Sequence, residues 1–187
     1  VQTCALPISM ADTVTPQGVI AVAQLIQKSI TDIEDAKLIA ICHEVRDPGN
    51  AGTVIRAADA AGADAVILTG ASVDLHNPKL VRASTGSIFH LTIVEHEDLA
   101  DVVELLADRG VQIFAASSEG ESIPEIRDHL AMPTAWLFGN EARGLDDTAR
   151  ELADRTVSVP IYGQAESLNL ATAASVCLYA SAFEQRA

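Results

Sequence analysis

Short continuous apolar runs alternate along the chain with segments in which apolar residues return every three or four positions. Leu38 to Cys42, Ala65 to Thr69, Leu91 to Val94, Val111 to Ala115, Ala135 to Phe138 and Thr156 to Val159 have strand length and continuity. The intervening segments predict helices from about Ala51 to Ala61 and from Leu99 to Asp108, closed by Gly62 and Gly110. Shorter helices are expected over Pro78 to Ala83 and Asp146 to Leu152, and a long alanine-rich one over Leu168 to Phe183. An earlier helix starts at Thr15-Pro16-Gln17, with Thr15 as N-cap and Ile20, Ala23, Ile26 and Ile30 on one face. Asp47 to Asn50 reads as a turn, and Glu119 to Pro133 as a looser stretch. Helix and strand alternate throughout, without repeat or linker, which predicts one α/β domain built in layers.

Composition refines this. The chain is 49% hydrophobic but 4% aromatic, so aliphatic side chains and alanine must fill the core. No apolar run approaches the roughly 18 residues of a membrane span, and a globular, membrane-free protein is expected. Cys4, Cys42 and Cys177 are odd in number and irregular in spacing, which argues against a disulfide framework and for a reducing, cytoplasmic setting. Cys42 and Cys177 lie in apolar segments and read as packing residues. His43, His76, His90, His96 and His129 form no metal-ligand pattern with the cysteines, so no metal is expected. The net charge of −14 changes the picture more. Nucleic-acid binders ordinarily carry a basic face, so composition alone favours an enzyme of small molecules. Against that, Arg56, Lys79, Arg82 and Arg143 cluster near the segments described next, while acids crowd elsewhere, as in Glu95 to Asp98.

Val1 to Ser9, VQTCALPIS, fit neither a helix nor a strand pattern nor a secretory signal. They match, in frame, the translation of a common short-read sequencing adapter. The expectation is that residues 1–9 are non-native and joined to a truncated gene, leaving residues 10–187 as the domain.

Three segments carry candidate chemistry. In Glu44 to Ala63, Asn50 occupies an N-cap position, and Arg56 follows six residues later among Val54, Ile55, Ala57 and Ala58. A guanidinium there is costly unless it is paired or reaches solvent. A plain cap and a snorkelling surface arginine account for these residues equally well. Gly49-Asn50-Ala51-Gly52 is not the dinucleotide-binding glycine pattern, and no acid ends the following strand at Thr69-Gly70. In Ala135 to Leu145, an apolar strand runs into Gly139-Asn140-Glu141 and then Arg143-Gly144. Gly139 admits close backbone approach, and Glu141 sets a carboxylate at the strand's carboxyl edge, where open α/β sheets bind ligands. A solvated glycine turn would explain the glycines but not so many polar groups. In Val157 to Val176, a strand ends at Pro160, a loop crosses Gly163, and Ser167-Leu168-Asn169 opens the last helix. Ser167 reads as its N-cap, with the Asn169 amide in the first turn.

Taken in order, N…R, G-N-E-x-x-G and P-x-x-G…S-L-N resemble the three signature motifs of the SpoU/TrmH family of RNA 2′-O-methyltransferases, in the SPOUT class. The resemblance is collinear from about Thr15 to the C-terminus. It implies a parallel sheet flanked by helices, with a C-terminal deep trefoil knot. It also implies S-adenosylmethionine held by Gly139, Val159, Ile161 and Leu168, and an active site made of Asn50, Arg56, Glu141, Ser167 and Asn169. Homodimers with the site near the subunit interface are implied as well. Larger members carry an N-terminal RNA-binding domain, often L30e-like, before the T-P-Q-G segment found here at Thr15 to Gly18, which tilts the expected substrate towards ribosomal rather than transfer RNA.

The implied reaction moves a methyl group from S-adenosylmethionine to a ribose 2′-hydroxyl. The family proposal makes Arg56 the base, but a guanidinium gives up a proton only with difficulty. Arg56 is better read as a clamp that holds a phosphate and stabilises negative charge on the 2′-oxygen, oriented by the other polar residues. Two alternatives stand beside this: an inactive knotted module that binds RNA or cofactor, and a small-molecule α/β enzyme.

Overall fold

The computed structural model describes residues 28–187. The expected helix at Thr15, with Ile20, Ala23 and Ile26, and the Val1 to Ser9 segment lie outside the described residues. Ile30 belongs to a separate 3-10 turn (Ile30–Asp32) capped by Ser29, not to the face of that helix.

Strands whose residues are apolar on both faces need cover on both faces, and the fold supplies it. β1 (Leu38–His43), β2 (Ala65–Thr69) and β5 (Thr134–Phe138) are buried almost throughout. With β3 (Thr92–His96), β4 (Gln112–Ser122) and β6 (Arg155–Ser158) they form one sheet in the order β3-β2-β1-β5-β4-β6. Every pairing is parallel, as the alternation of strand and helix predicts.

Side chains alternate across each strand and so divide the core. Leu38, Ala40 and Cys42 join Val66, Trp136 and Phe138 beneath α1 (Pro48–Ala61) and α5 (Leu170–Gln185), with α2 (Pro78–Ser84) packed alongside α1. Ile39 and Ile41 join Ile67, Ile113 and Leu137 on the opposite face, beneath α3 (Leu99–Asp108) and α4 (Asp147–Glu151). Trp136 is fully buried; its indole N–H donates to the buried Ser181 hydroxyl of α5 at 2.9 Å.

Most boundaries fall where the apolar pattern sets them, and the departures have causes. α1 begins at Pro48, where a turn is expected. Asp47 precedes a proline and is held extended (ψ 116°), and Pro48 takes the first helical position. β4 runs on past Ala115 through a polar stretch, because it pairs with β6 across a register shift between Ala116 and Glu121. Gly120 makes the shift possible. It has φ +113°, and a Cβ there would stand 2.3 Å from the Thr156 carbonyl oxygen.

Candidate active site

The strand order places the site. From β1 the sheet grows through β2 to β3 on one side, and through β5, β4 and β6 on the other. The loops leaving β1 and β5 therefore diverge at the carboxyl edge, the usual position of a ligand crevice in an open α/β sheet.

The loop after β1 is Glu44 to Asp47. Asp47 caps α1 by accepting the Asn50 backbone N–H at 2.7 Å. The expectation that Asn50 is the cap is thus corrected: Asn50 sits inside the first turn with its side-chain amide free for other partners. The loop after β5 returns Glu141 onto this turn. Its carboxylate accepts the backbone N–H of Asp47 at 3.1 Å and of Arg46 at 3.4 Å, and the Asn50 side-chain amide at 3.5 Å. Asn50 Oδ1 in turn accepts from Asn169 Nδ2 at 3.0 Å. Asn169, not Ser167, caps α5, taking the N–H groups of Ala171 at 2.9 Å and Thr172 at 3.3 Å. Asn50, Glu141 and Asn169, far apart in sequence, thus form one hydrogen-bonded row that ties three segments together.

Asn140 is a structural member that the sequence left without a role. Its amide donates to the Glu44 carbonyl at 2.9 Å, and its Oδ1 accepts the Ala142 N–H at 3.0 Å. Paired backbone bonds with Gly144 close the Asn140–Gly144 turn.

Beside this row opens a cavity of about 460 Å³, within the range of small-molecule sites. Gly139 and Phe138 line its base, and Val159, Ile161 and Leu168 its apolar wall, with Asn140, Glu141, Arg143 and Ser167 as polar members. All four residues expected to hold the cofactor line this space, and so do Glu141 and Ser167. Ala116 to Glu119, from the β4 irregularity, also line it. The sequence missed them; the signal was Gly120 after a run of small polar residues. Ile161 and Leu168 are each 37% exposed, so a ligand seated there would cover apolar surface.

Gly139 has to be glycine whatever ligand approaches it. A Cβ there would meet the chain itself, 2.4 Å from the Gly144 carbonyl carbon and 2.5 Å from the Leu145 nitrogen. Gly139→Val would disturb the loop directly, so it cannot serve as a selective block to a ligand with the fold left intact.

Arg56 stands apart. It is exposed on α1, about 120° around the helix from Asn50 at 3.6 residues per turn, and does not line the cavity. Among the described residues it has no hydrogen-bond or ion-pair partner. The desolvation cost anticipated from its apolar neighbours does not arise, because Val54 and Ile55 face the core and Arg56 faces solvent.

Other features compete poorly. A crevice of about 630 Å³ below His43 and His96 is lined by Glu97, Asp98, Asp101 and Asp146, an unfavourable surface for an anionic ligand. Asp74, His76 and Glu95 bring one ligand atom each within 4.8 Å of the others, but all are exposed and none belongs to the cavity. Cys42 is no nucleophile: burial, and then the nearby Glu141 carboxylate, push its thiol up to about 12. Burial pushes Cys177 up as well. Among the described residues no helix is long and apolar enough to cross a membrane.

Comparison with known proteins gives the same motifs a lineage. The SpoU rRNA Methylase family profile matches residues 37–179. The 23S rRNA (guanosine(2553)-2′-O)-methyltransferase RlmP of Bacillus subtilis is 38% identical over 172 residues, covering 91% of this chain and 67% of its own. A 23S rRNA (uridine(2479)-2′-O)-methyltransferase of Streptomyces viridochromogenes is 40% identical over 136 residues, covering 71% of this chain and 47% of that protein. The chain thus spans about half to two thirds of these relatives. The crystal structure of the SpoU methyltransferase AviRb from Streptomyces viridochromogenes, in complex with the cofactor AdoMet, superposes with a TM-score of 0.79 at 32% identity, over 87% of this chain and 67% of that one. Profile, sequence relatives and superposed fold agree: the chain belongs to the SpoU rRNA methylase family.

Proposed function

We propose that this chain is the catalytic domain of an enzyme that transfers the methyl group of S-adenosylmethionine to a ribose 2′-hydroxyl of ribosomal RNA. The observation that carries the reading is the Glu141–Asn50–Asn169 row, which reaches through Glu141 into the cavity lined by Gly139, Val159, Ile161 and Leu168. The cavity fits such a donor chemically. Its apolar wall suits an adenine ring and methionine chain, and its rim offers hydroxyl, amide and carboxylate groups for the polar ends. When bound, S-adenosylmethionine supplies an electrophilic methyl group on sulfonium sulfur.

The protein's own task is positioning. Glu141 fixes the loop leading into α1 through two backbone N–H groups and orients the Asn50 amide. Asn169 holds Asn50 from the other side and anchors the start of α5. Ser167 offers a hydroxyl on the cavity wall for the ribose or the donor. Within one chain Arg56 stands outside this cavity, so its clamp role is assigned to a homodimer, in which α1 of one copy presents Arg56 to the site of the other. The apolar residues Val176, Tyr179 and Phe183, exposed on α5, suit such an interface. The trefoil knot at the C-terminal loops and a cytoplasmic location belong to the same reading, through the family.

A transfer RNA substrate is the second reading, and one observation favours it. A structure described as showing 2-OH methylation of C/U34 on tRNA is 36% identical, with a TM-score of 0.69, and this chain covers 95% of it. The named relatives with 23S rRNA substrates favour the first reading.

Calorimetry with S-adenosylmethionine tests the cofactor half. Wild type should bind saturably, and Leu168→Asp, which sets a carboxylate in the apolar wall of a half-exposed loop, should lose binding with its melting temperature unchanged. Equal affinity in both proteins would place the donor elsewhere.

A further inference from the structure

Arg143, which lines the cavity, meets Glu44 and Arg46, which do not, in an arrangement that the proposed chemistry has not used. Arg143 Nη2 donates to Glu44 Oε2 at 2.6 Å, and Arg46 Nη2 lies 3.9 Å from the same oxygen. One carboxylate oxygen therefore faces two guanidiniums. Each guanidinium offers a fork of N–H donors. Among the described residues, one donor of Arg143 and none of the Arg46 side chain makes a hydrogen bond. The Arg143 side chain is 66% exposed and that of Arg46 59%, so the unused donors face solvent.

The placement of this trio is fixed by backbone. The Glu44 N–H donates to the Thr69 carbonyl, the Arg46 N–H to Glu141, and the Arg143 N–H to Asn140 Oδ1. Glu44 also adopts φ +53°, a left-handed conformation that a non-glycine residue takes at a cost, and which aims its side chain at the arginines. Ordinary surface ion pairs need no such scaffolding. Other carboxylates nearby, Asp47 and Glu141, already accept backbone N–H groups. Glu44 is the acceptor that an incoming anion can displace.

We propose that Arg46 and Arg143 form a paired clamp for an RNA phosphate beside the cavity, and that Glu44 occupies this clamp in the RNA-free protein until the phosphate displaces it. The inference rests on the reading above that RNA is the substrate. Two planar forks suit a phosphate bidentately. The place-holder carboxylate keeps two cations tethered on a protein of net charge −14, while raising the selectivity threshold for anions too weak to displace it.

Filter binding of an unmodified 23S rRNA transcript, titrated with salt, tests this on the 187-residue protein. Calorimetry of S-adenosylmethionine and thermal melting run in parallel. The Arg46→Ala/Arg143→Ala double variant should bind RNA about tenfold more weakly, with the salt slope reduced by about 0.7 to 0.9 for each lost contact. Glu44→Gln should bind RNA several-fold more tightly than wild type, a gain that loss of a structural ion pair would not give. All variants should melt like wild type, and Glu44→Gln, at a residue outside the cavity lining, should keep donor affinity. Wild-type affinity and slope in the double variant would overturn the clamp, and weaker binding by Glu44→Gln would overturn the place-holder. Loss of donor affinity in Arg143→Ala, with RNA binding unchanged, would reassign Arg143 to the donor's carboxylate. If wild type itself shows no salt-dependent RNA binding, the RNA reading falls first and this inference with it.

Discussion

Asn169 does two things with one side chain. Its Oδ1 caps α5 and its Nδ2 holds Asn50. Asn169→Asp keeps the cap acceptor but removes the donor, so the fold should keep its stability while methyl transfer falls roughly a hundredfold, as when a positioning group at a reacting centre is lost. Asn169→Ala should lose activity and also about 1 kcal/mol of stability. Denaturant unfolding beside a methylation assay separates the two effects; equal activity of Asn169→Asp and wild type would remove Asn169 from the site. At this scale the sequence picked out Asn50, Glu141 and Asn169, which the fold brings into one hydrogen-bonded row, but misplaced the caps. Asp47 and Asn50 are both good capping types, as are Ser167 and Asn169, and local pattern does not choose between candidates two or three residues apart. The choice is made by Pro48 in one case and by the reach to Asn50 in the other. Arg56 shows the opposite limit. Its neighbours in sequence are apolar, but it shares a helix face with the exposed Thr53 and Ala60.

At the scale of elements, the strands most legible in the sequence are those buried on both faces. β2 matches its apolar run residue for residue, and β5 differs by Thr134 alone. β4 was legible only to Ala115, because its outer half is polar and held by β6, a partner that no local pattern reveals. That outer half matters, since Ala116 to Glu119 line the cavity. Gly120→Ala tests the dependence. The added methyl meets the Thr156 carbonyl at 2.3 Å in a left-handed backbone. The variant should lose at least about 1–2 kcal/mol of stability and bind S-adenosylmethionine more weakly. Unchanged melting and unchanged calorimetric affinity would show that the irregularity shapes nothing at the site.

For the whole molecule, the net charge of −14 points away from nucleic acid, whereas membership of a family of rRNA methylases points towards it. What matters is where the few cations stand: Arg143 lines the cavity, and Arg46 lies 3.9 Å from the Glu44 oxygen that Arg143 holds. The proposed dimer completes the picture by giving Arg56 a site to serve. Light scattering at micromolar concentration should report about twice the 19.7 kDa of one chain. A mixture of inactive Arg56→Ala and inactive Asn169→Ala chains should regain activity, because a mixed dimer holds one site with both residues intact. A monomer, or no recovery on mixing, would return Arg56 to the role of a surface arginine. The central claim is tested most directly by the product. Unmodified 23S rRNA, incubated with the protein and methyl-labelled S-adenosylmethionine, is digested to nucleosides and resolved by mass spectrometry. The label should appear in a single 2′-O-methylated nucleoside and vanish with Glu141→Ala; label on a base, or none despite bound donor, would contradict the account.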